Sequence, residues 1–120
     1  MGQFVIRQTA TGFKFDLKAT NGQIIAVSEG YTTKAACVKG AEGVAKAAPE
    51  ANFADLTAEQ TATNPKFELY QDKAGQYRFR LLARNGENIA ASEGYTTKTA
   101  CENGIASVRR NAADAEIVEE

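Results

Sequence analysis

The sequence contains no histidine. That removes the usual base of a nucleophilic triad, a common zinc ligand, and the one side chain that titrates near neutral pH without perturbation. Hydrolase, metalloenzyme and acid–base functions are disfavoured accordingly; no catalytic residue, metal or cofactor is expected, and the chain reads as a non-enzyme. Cysteine is scarce: only Cys37 and Cys101 occur. Without clustered spacing they make neither a disulfide scaffold nor a Cys-x-x-Cys centre, and they point to a reducing, cytoplasmic setting. No apolar run reaches the length of about 18 residues that a membrane helix needs. The opening "MGQFVIRQTATG" has no charged segment ahead of an apolar one, so no secretory signal is expected. Neither sign of charge dominates. Fourteen basic and 15 acidic residues leave a net charge of −1, which gives no global pull toward nucleic acid or an anionic membrane.

What is present is a repetition. "SEGYTTKAAC" begins at Ser28, and "SEGYTTKTAC" begins at Ser92. Aligning 13–56 with 77–120 gives 20 identities in 44 positions without a gap, where chance would give roughly two or three. The segments upstream correspond as well, with Phe4 matching Phe67 and Phe13 matching Tyr77. The repeats run over 1–56 and 65–120, and the polar, Thr-rich stretch 57–64 before Pro65 reads as a linker. A half of this size buries too little surface to be comfortable alone, so the two are expected to share one core as a single compact domain and a monomer.

Each repeat predicts the same elements. A first strand, "FVIRQ" or "FELYQ", leads through a Gly-containing turn to a second with strict alternation. Phe13, Phe15 and Leu17 face one way, as do Tyr77, Phe79 and Leu81; Lys14, Asp16, Lys18 and Arg78, Arg80, Arg84 face the other. Asn21-Gly22 and Asn85-Gly86 predict tight type I′ hairpins. After a third strand, Gly30 and Gly94 are expected to turn the chain sharply. Thr32 or Thr33, and Thr96 or Thr97, can cap helices over about 33–47 and 97–111. Tyr31 and Tyr95 are placed to staple the first helical turn. The helical stripes carry Cys37, Gly40 and Val44, and Cys101, Gly104 and Val108. A glycine inside a helix costs about 1 kcal/mol, so close approach of another element is expected at Gly40 and Gly104. "ANFADL" and "AEIVEE" read as closing strands.

The run from Phe79 to Asn111, with its Asn-Gly hairpin, Ser-Glu-Gly-Tyr turn and Cys-bearing helix, resembles the YegP-like family of small bacterial and archaeal proteins, known chiefly as a domain of unknown function. Both repeats match; the first departs where Asn103-Gly104 reads Lys39-Gly40. The resemblance implies an α+β fold of two β-β-β-α-β repeats related by a pseudo-two-fold axis. They would form one mainly antiparallel sheet, with both helices on one face and the last strands exchanged. It implies no activity, cofactor or catalytic residue.

Candidate chemistry is sparse. Cys37 and Cys101 read as buried stripe residues, with a redox pair as the sharper alternative. Ser28, Glu29, Gly30 and Tyr31, with Ser92, Glu93, Gly94 and Tyr95, read as repeated turn and cap residues; the paired carboxylates and exposed tyrosines are the functional alternatives. The candidate interaction face is Lys14, Lys18, Arg78, Arg80 and Arg84. A non-enzymatic binding or interaction module is the leading function, and a weak nucleic-acid binder using an arginine ladder on that face is the alternative. The partner, protein or nucleic acid, is not specified by the residues.

Overall fold

The computed structural model describes residues 2–119; Met1 and Glu120, the outermost residues of the expected repeats, lie outside the described residues. Strands β1 (Gln3–Thr9), β2 (Gly12–Lys18) and β3 (Ile24–Val27) precede helix α1 (Lys34–Ala47) and strand β4 (Asn52–Asp55). The second half repeats this order with β5 (Lys66–Gln71), β6 (Tyr77–Leu82), β7 (Asn88–Ala91), α2 (Lys98–Ala112) and β8 (Glu116–Glu119). The stretch expected as a plain linker begins with a short 3-10 turn, Leu56–Ala58.

All eight strands lie in one mixed sheet, ordered β4-β5-β6-β7-β3-β2-β1-β8. The halves meet at its centre through the antiparallel pair Val27–Ala91. At the rims the pairing is parallel: β4 lies beside β5, and β8 beside β1. The closing strand of each half is therefore seated against the opening strand of the other. Lysines at the helix starts hold these rims. Lys34 Nζ lies 2.6 Å from Glu119 and Lys98 Nζ 2.9 Å from Asp55, so each helix reaches a strand of the opposite half.

Period-2 alternation sends Phe15, Leu17, Phe79 and Leu81 into a core shared by both helices, where each is fully buried. Phe4 meets Phe15 edge-on at 5.5 Å between ring centroids, and Phe67 meets Phe79 at 5.9 Å. Truncating any one of these rings to alanine would cost about 3–5 kcal/mol. Cys37 and Cys101 are buried, unpaired thiols on the stripes.

Two expected details differ. The Asn-Gly hairpins are not type I′: Gly22 and Gly86 have positive φ, but the preceding asparagines do not. Gly22 N–H donates to the Ala19 carbonyl, while Ala19 N–H reaches the Gln23 carbonyl. This is a type I turn closed by a left-handed glycine, a three-residue loop; a separate register shift lies between Leu17 and Lys18, farther from the turn. The asparagine contributes through its side chain instead, accepting from Gln23 N–H at 3.0 Å. Second, Gly30 and Gly94 do not take left-handed backbone. A Cβ on Gly30 would meet nothing, and one on Gly94 would meet only the flexible Gln76 side chain. Where the chain leaves the third strand, the serine two residues before each glycine is hydrogen-bonded on both sides through its hydroxyl.

Candidate functional site

The repeated motif is absorbed almost residue by residue into scaffolding. Ser28 Oγ accepts from Phe15 N–H at 2.9 Å and donates to the Glu29 carbonyl at 2.8 Å. Ser92 repeats both bonds with Phe79 and Glu93. Thr33 and Thr97 cap the helices, each accepting from the N–H three residues on at 3.1 Å. Tyr31 and Tyr95 pair by backbone with Phe13 and Tyr77, then lay their rings parallel to Phe15 and Phe79 at 6.3 and 6.4 Å. Their hydroxyls pass beneath Gly40 and Gly104 in the second helical turn rather than stapling the first. That is the close approach those glycines serve. Burial pushes both phenols above their ordinary range. Burial likewise raises the Cys37 thiol and pushes Cys101 up to about 11, the opposite direction from the lowered pKa of a reactive cysteine. Glu29 and Glu93 stay exposed at the ends of β3 and β7.

The outer face does not present a bare arginine ladder. Arg78 is fixed by Asp72 at 2.7 Å, and this guanidinium, helped by turn N–H groups, lowers the Asp72 carboxyl. Arg80 lies 2.7 Å from Glu68 and stacks 4.7 Å over the Tyr70 ring. Burial raises the Glu68 carboxyl, but Arg80 and Lys66 outweigh it and hold it low. Asp16, expected on a wet face, is buried against Arg7 at 2.9 Å. Arg84 leaves the face altogether. β6 ends at Leu82; Arg84 lies in the turn that Gly86 N–H closes on the Ala83 carbonyl, and it points to Glu50 beyond α1, 3.4 Å away. Lys14 and Lys18 remain on the outer face, half-buried and without an ion pair among the described residues. The expected interaction face is thus not brought together as one patch. Charged partners come from neighbouring strands, which alternation within one strand does not reveal.

Arg84 instead helps to line a cleft of about 700 Å³ between α1 and the β6–β7 hairpin. Its floor is a stripe of small residues on α1, Ala36, Gly40, Gly43 and Ala47, with Tyr31 at the base. Lys39 and Lys46 stand on the helical wall; Arg84, Glu87 and Ile89 stand opposite. Gly43 has no structural duty: a Cβ there would meet nothing. The corresponding place between α2 and the β2–β3 hairpin is narrower. Asn111, which matches Ala47, is buried and donates to the Ser107 carbonyl at 2.8 Å. Thr20, matching Arg84, reaches Asn111 at 3.4 Å, and Ser107 matches Gly43. About 380 Å³ of open space remains there. No motif marks the first cleft; the one sign in the sequence is the divergence of the repeats at 39, 43, 47 and 84.

Among the described residues no cluster of metal-ligating side chains occurs, and no helix is long and apolar enough to cross a membrane. What the geometry defines is a tandem-repeat α+β protein, with one open mixed sheet backed by two helices. A family model described as a domain of unknown function (DUF1508) matches twice, over 9–55 and 72–119, and the chain belongs to that family. A relative from Stutzerimonas stutzeri, a UPF0339 protein in the ptx operon 5′ region, is 35% identical over 98% of this chain and 96% of its own. A UPF0339 protein from Treponema denticola is 57% identical over 54 residues, 45% of this chain but 93% of its own, so it carries a single repeat. The solution structure of yegP from E. coli, a protein of unknown function, superimposes with a TM-score of 0.82 at 30% identity, covering 99% of this chain and 92% of that one.

Proposed function

We propose that the chain is a small non-enzymatic binding module, and that its binding site is the cleft between α1 and the β6–β7 hairpin. The observation that carries this is the asymmetry of the two halves: Asn111, Ser107 and Thr20 narrow one cleft to about 380 Å³, while its counterpart opens to about 700 Å³ over Gly43 and Ala47. A mid-helix glycine that relieves no clash costs stability, and space for a ligand is what it leaves. The volume suits a small molecule. The same reading takes the repeats as halves related by a two-fold axis, each giving its closing strand to the other; the parallel rim pairs support it. Binding of nucleic acid on the sheet face is less favoured, because Arg78 and Arg80 are each already paired.

The test is a set of backbone-amide titrations with small anionic, cationic and neutral metabolites and with a short single-stranded RNA. Perturbations mapping to 36–50 and 83–89, and lost in the doubly substituted Gly43→Ser/Ala47→Asn protein, are expected for the small molecules. Shifts confined to 78–82 with RNA would replace this reading with the alternative, and an unresponsive cleft would remove it.

A further inference from the structure

Resting on the cleft as the binding site, we propose that its ligand is a small organic phosphate monoester whose phosphoryl group sits between Lys46 and Arg84. Lys46 stands on the cleft wall with no ion pair among the described residues. Arg84 is held by one contact, 3.4 Å from Glu50, with 80% and 56% of the two side chains exposed. An exposed pair of this kind exchanges partners readily. The arginine fork matches phosphoryl oxygens, and a nearby lysine adds a point charge.

Charge and room occur together in one of the two clefts. The positions matching Arg84 and Lys39 are Thr20 and Asn103, so the narrower cleft has Arg110 alone of the three cations. The rest of the cleft limits the ligand. Lys39 and Lys46 lie two helical turns apart, about 10 Å, with the small-residue floor between them. A compact, partly apolar body fits over Gly43 and Ala47 against Ile89. Glu87 stands in the cleft close enough to Tyr31 to act on its phenol. A carboxylate there repels a second anionic group but accepts from hydroxyl or amino groups. One dianionic head and an uncharged, hydrogen-bonding tail therefore suit the site better than a polyanion or a strand of nucleic acid.

The experiment titrates the full chain with adenosine 5′-monophosphate and glycerol 3-phosphate, alongside adenosine, glycerol and inorganic phosphate. Both esters are expected to shift amides of 39–47 and 83–89, at least about tenfold more tightly than their dephosphorylated counterparts. Lys46→Gln and Arg84→Gln should each weaken ester binding about tenfold, while Lys73→Gln, in the β5–β6 turn, should leave it unchanged. Circular dichroism of each variant confirms that the fold is kept. Equal binding of adenosine or glycerol in the cleft would overturn the phosphate assignment and leave the binding module standing. Equal binding of inorganic phosphate would remove the organic body. Shifts from none of the five would overturn the assignment, and the wider metabolite panel then decides whether the cleft binds at all.

Discussion

The glycines of α1 make a paired test of the packing logic. Gly40 and Gly43 both sit in the helix interior, and alanine at either gains roughly 1 kcal/mol of helix propensity. Their surroundings differ. At Gly43 the added methyl meets nothing, so Gly43→Ala should stabilise the protein by about 0.5–1 kcal/mol. At Gly40 it would lie 2.6 Å from Tyr31 Cζ and overlap the hydroxyl beyond it. The ring cannot retreat without leaving Phe15, against which it stacks at 6.3 Å. Overpacking of this kind costs about 1–3 kcal/mol, and the lost ring contact adds about 0.5–1.5. After the propensity gain, Gly40→Ala should be destabilising by about 0.5–3.5 kcal/mol. Urea denaturation followed by circular dichroism measures both. Combining Gly40→Ala with Tyr31→Phe removes the overlapped oxygen and should recover part of the loss. Equal stabilisation by the two single alanines would refute the claim that the tyrosine sets the helix position, and Gly104 would then need another explanation as well.

Three further outcomes follow from the geometry. Cys37 and Cys101, buried with raised thiols, should alkylate only after denaturation; rapid labelling of the native protein would place them at the surface. The Glu68 carboxyl is held low, so its contribution to stability is complete above the unfolded carboxylate range, about 4.3, and is lost as pH falls through the lower folded value. Glu68→Gln should therefore flatten the fall in melting temperature between about pH 5 and pH 3, and an unchanged slope would deny the pairing with Arg80 and Lys66. The fragment 65–120 lacks β4, the partner of β5, and should sediment as a dimer; a stable folded monomer would count against exchange of the closing strands.

Much of the fold was legible because it is written twice in local patterns. Alternation from Phe13 to Leu17 and from Tyr77 to Leu81 located the buried face, and the threonine pairs at 32–33 and 96–97 located the helix starts, the second of each being the cap. The demand that Gly40 and Gly104 have a reason was sound, yet the reason needed the tyrosine ring to be placed in space. Alternation within β6 does not show what pairs with its charges. Asp72 and Glu68 reach Arg78 and Arg80 from the adjoining strand and turn, so a ladder of like charge along β6 is neutralised across the sheet. β6 ends at Leu82, so Arg84 lies in the following turn and outside the pattern. The cleft joins α1 of one half to a hairpin of the other, a juxtaposition no linear motif contains.

Divergence between the repeats has a consequence for how a site can arise here. A single-repeat chain that pairs with its own copy must make both of its clefts alike. Filling them secures a buried asparagine network of the Asn111 kind, whose hydrogen bonds contribute about 1 kcal/mol each; opening them forfeits that network twice. Joining two repeats in one chain removes the constraint. Thr20, Ser107 and Asn111 can remain as packing in one cleft while Arg84, Gly43 and Ala47 open the other. The cost falls once, about 1 kcal/mol for the helical glycine and a similar amount for the missing plug. The shared aromatic core, with Phe4, Phe15, Phe67 and Phe79 all fully buried, is large enough to carry it. Identity between the halves thus marks what the fold requires, and the positions where they part company are where binding can be built.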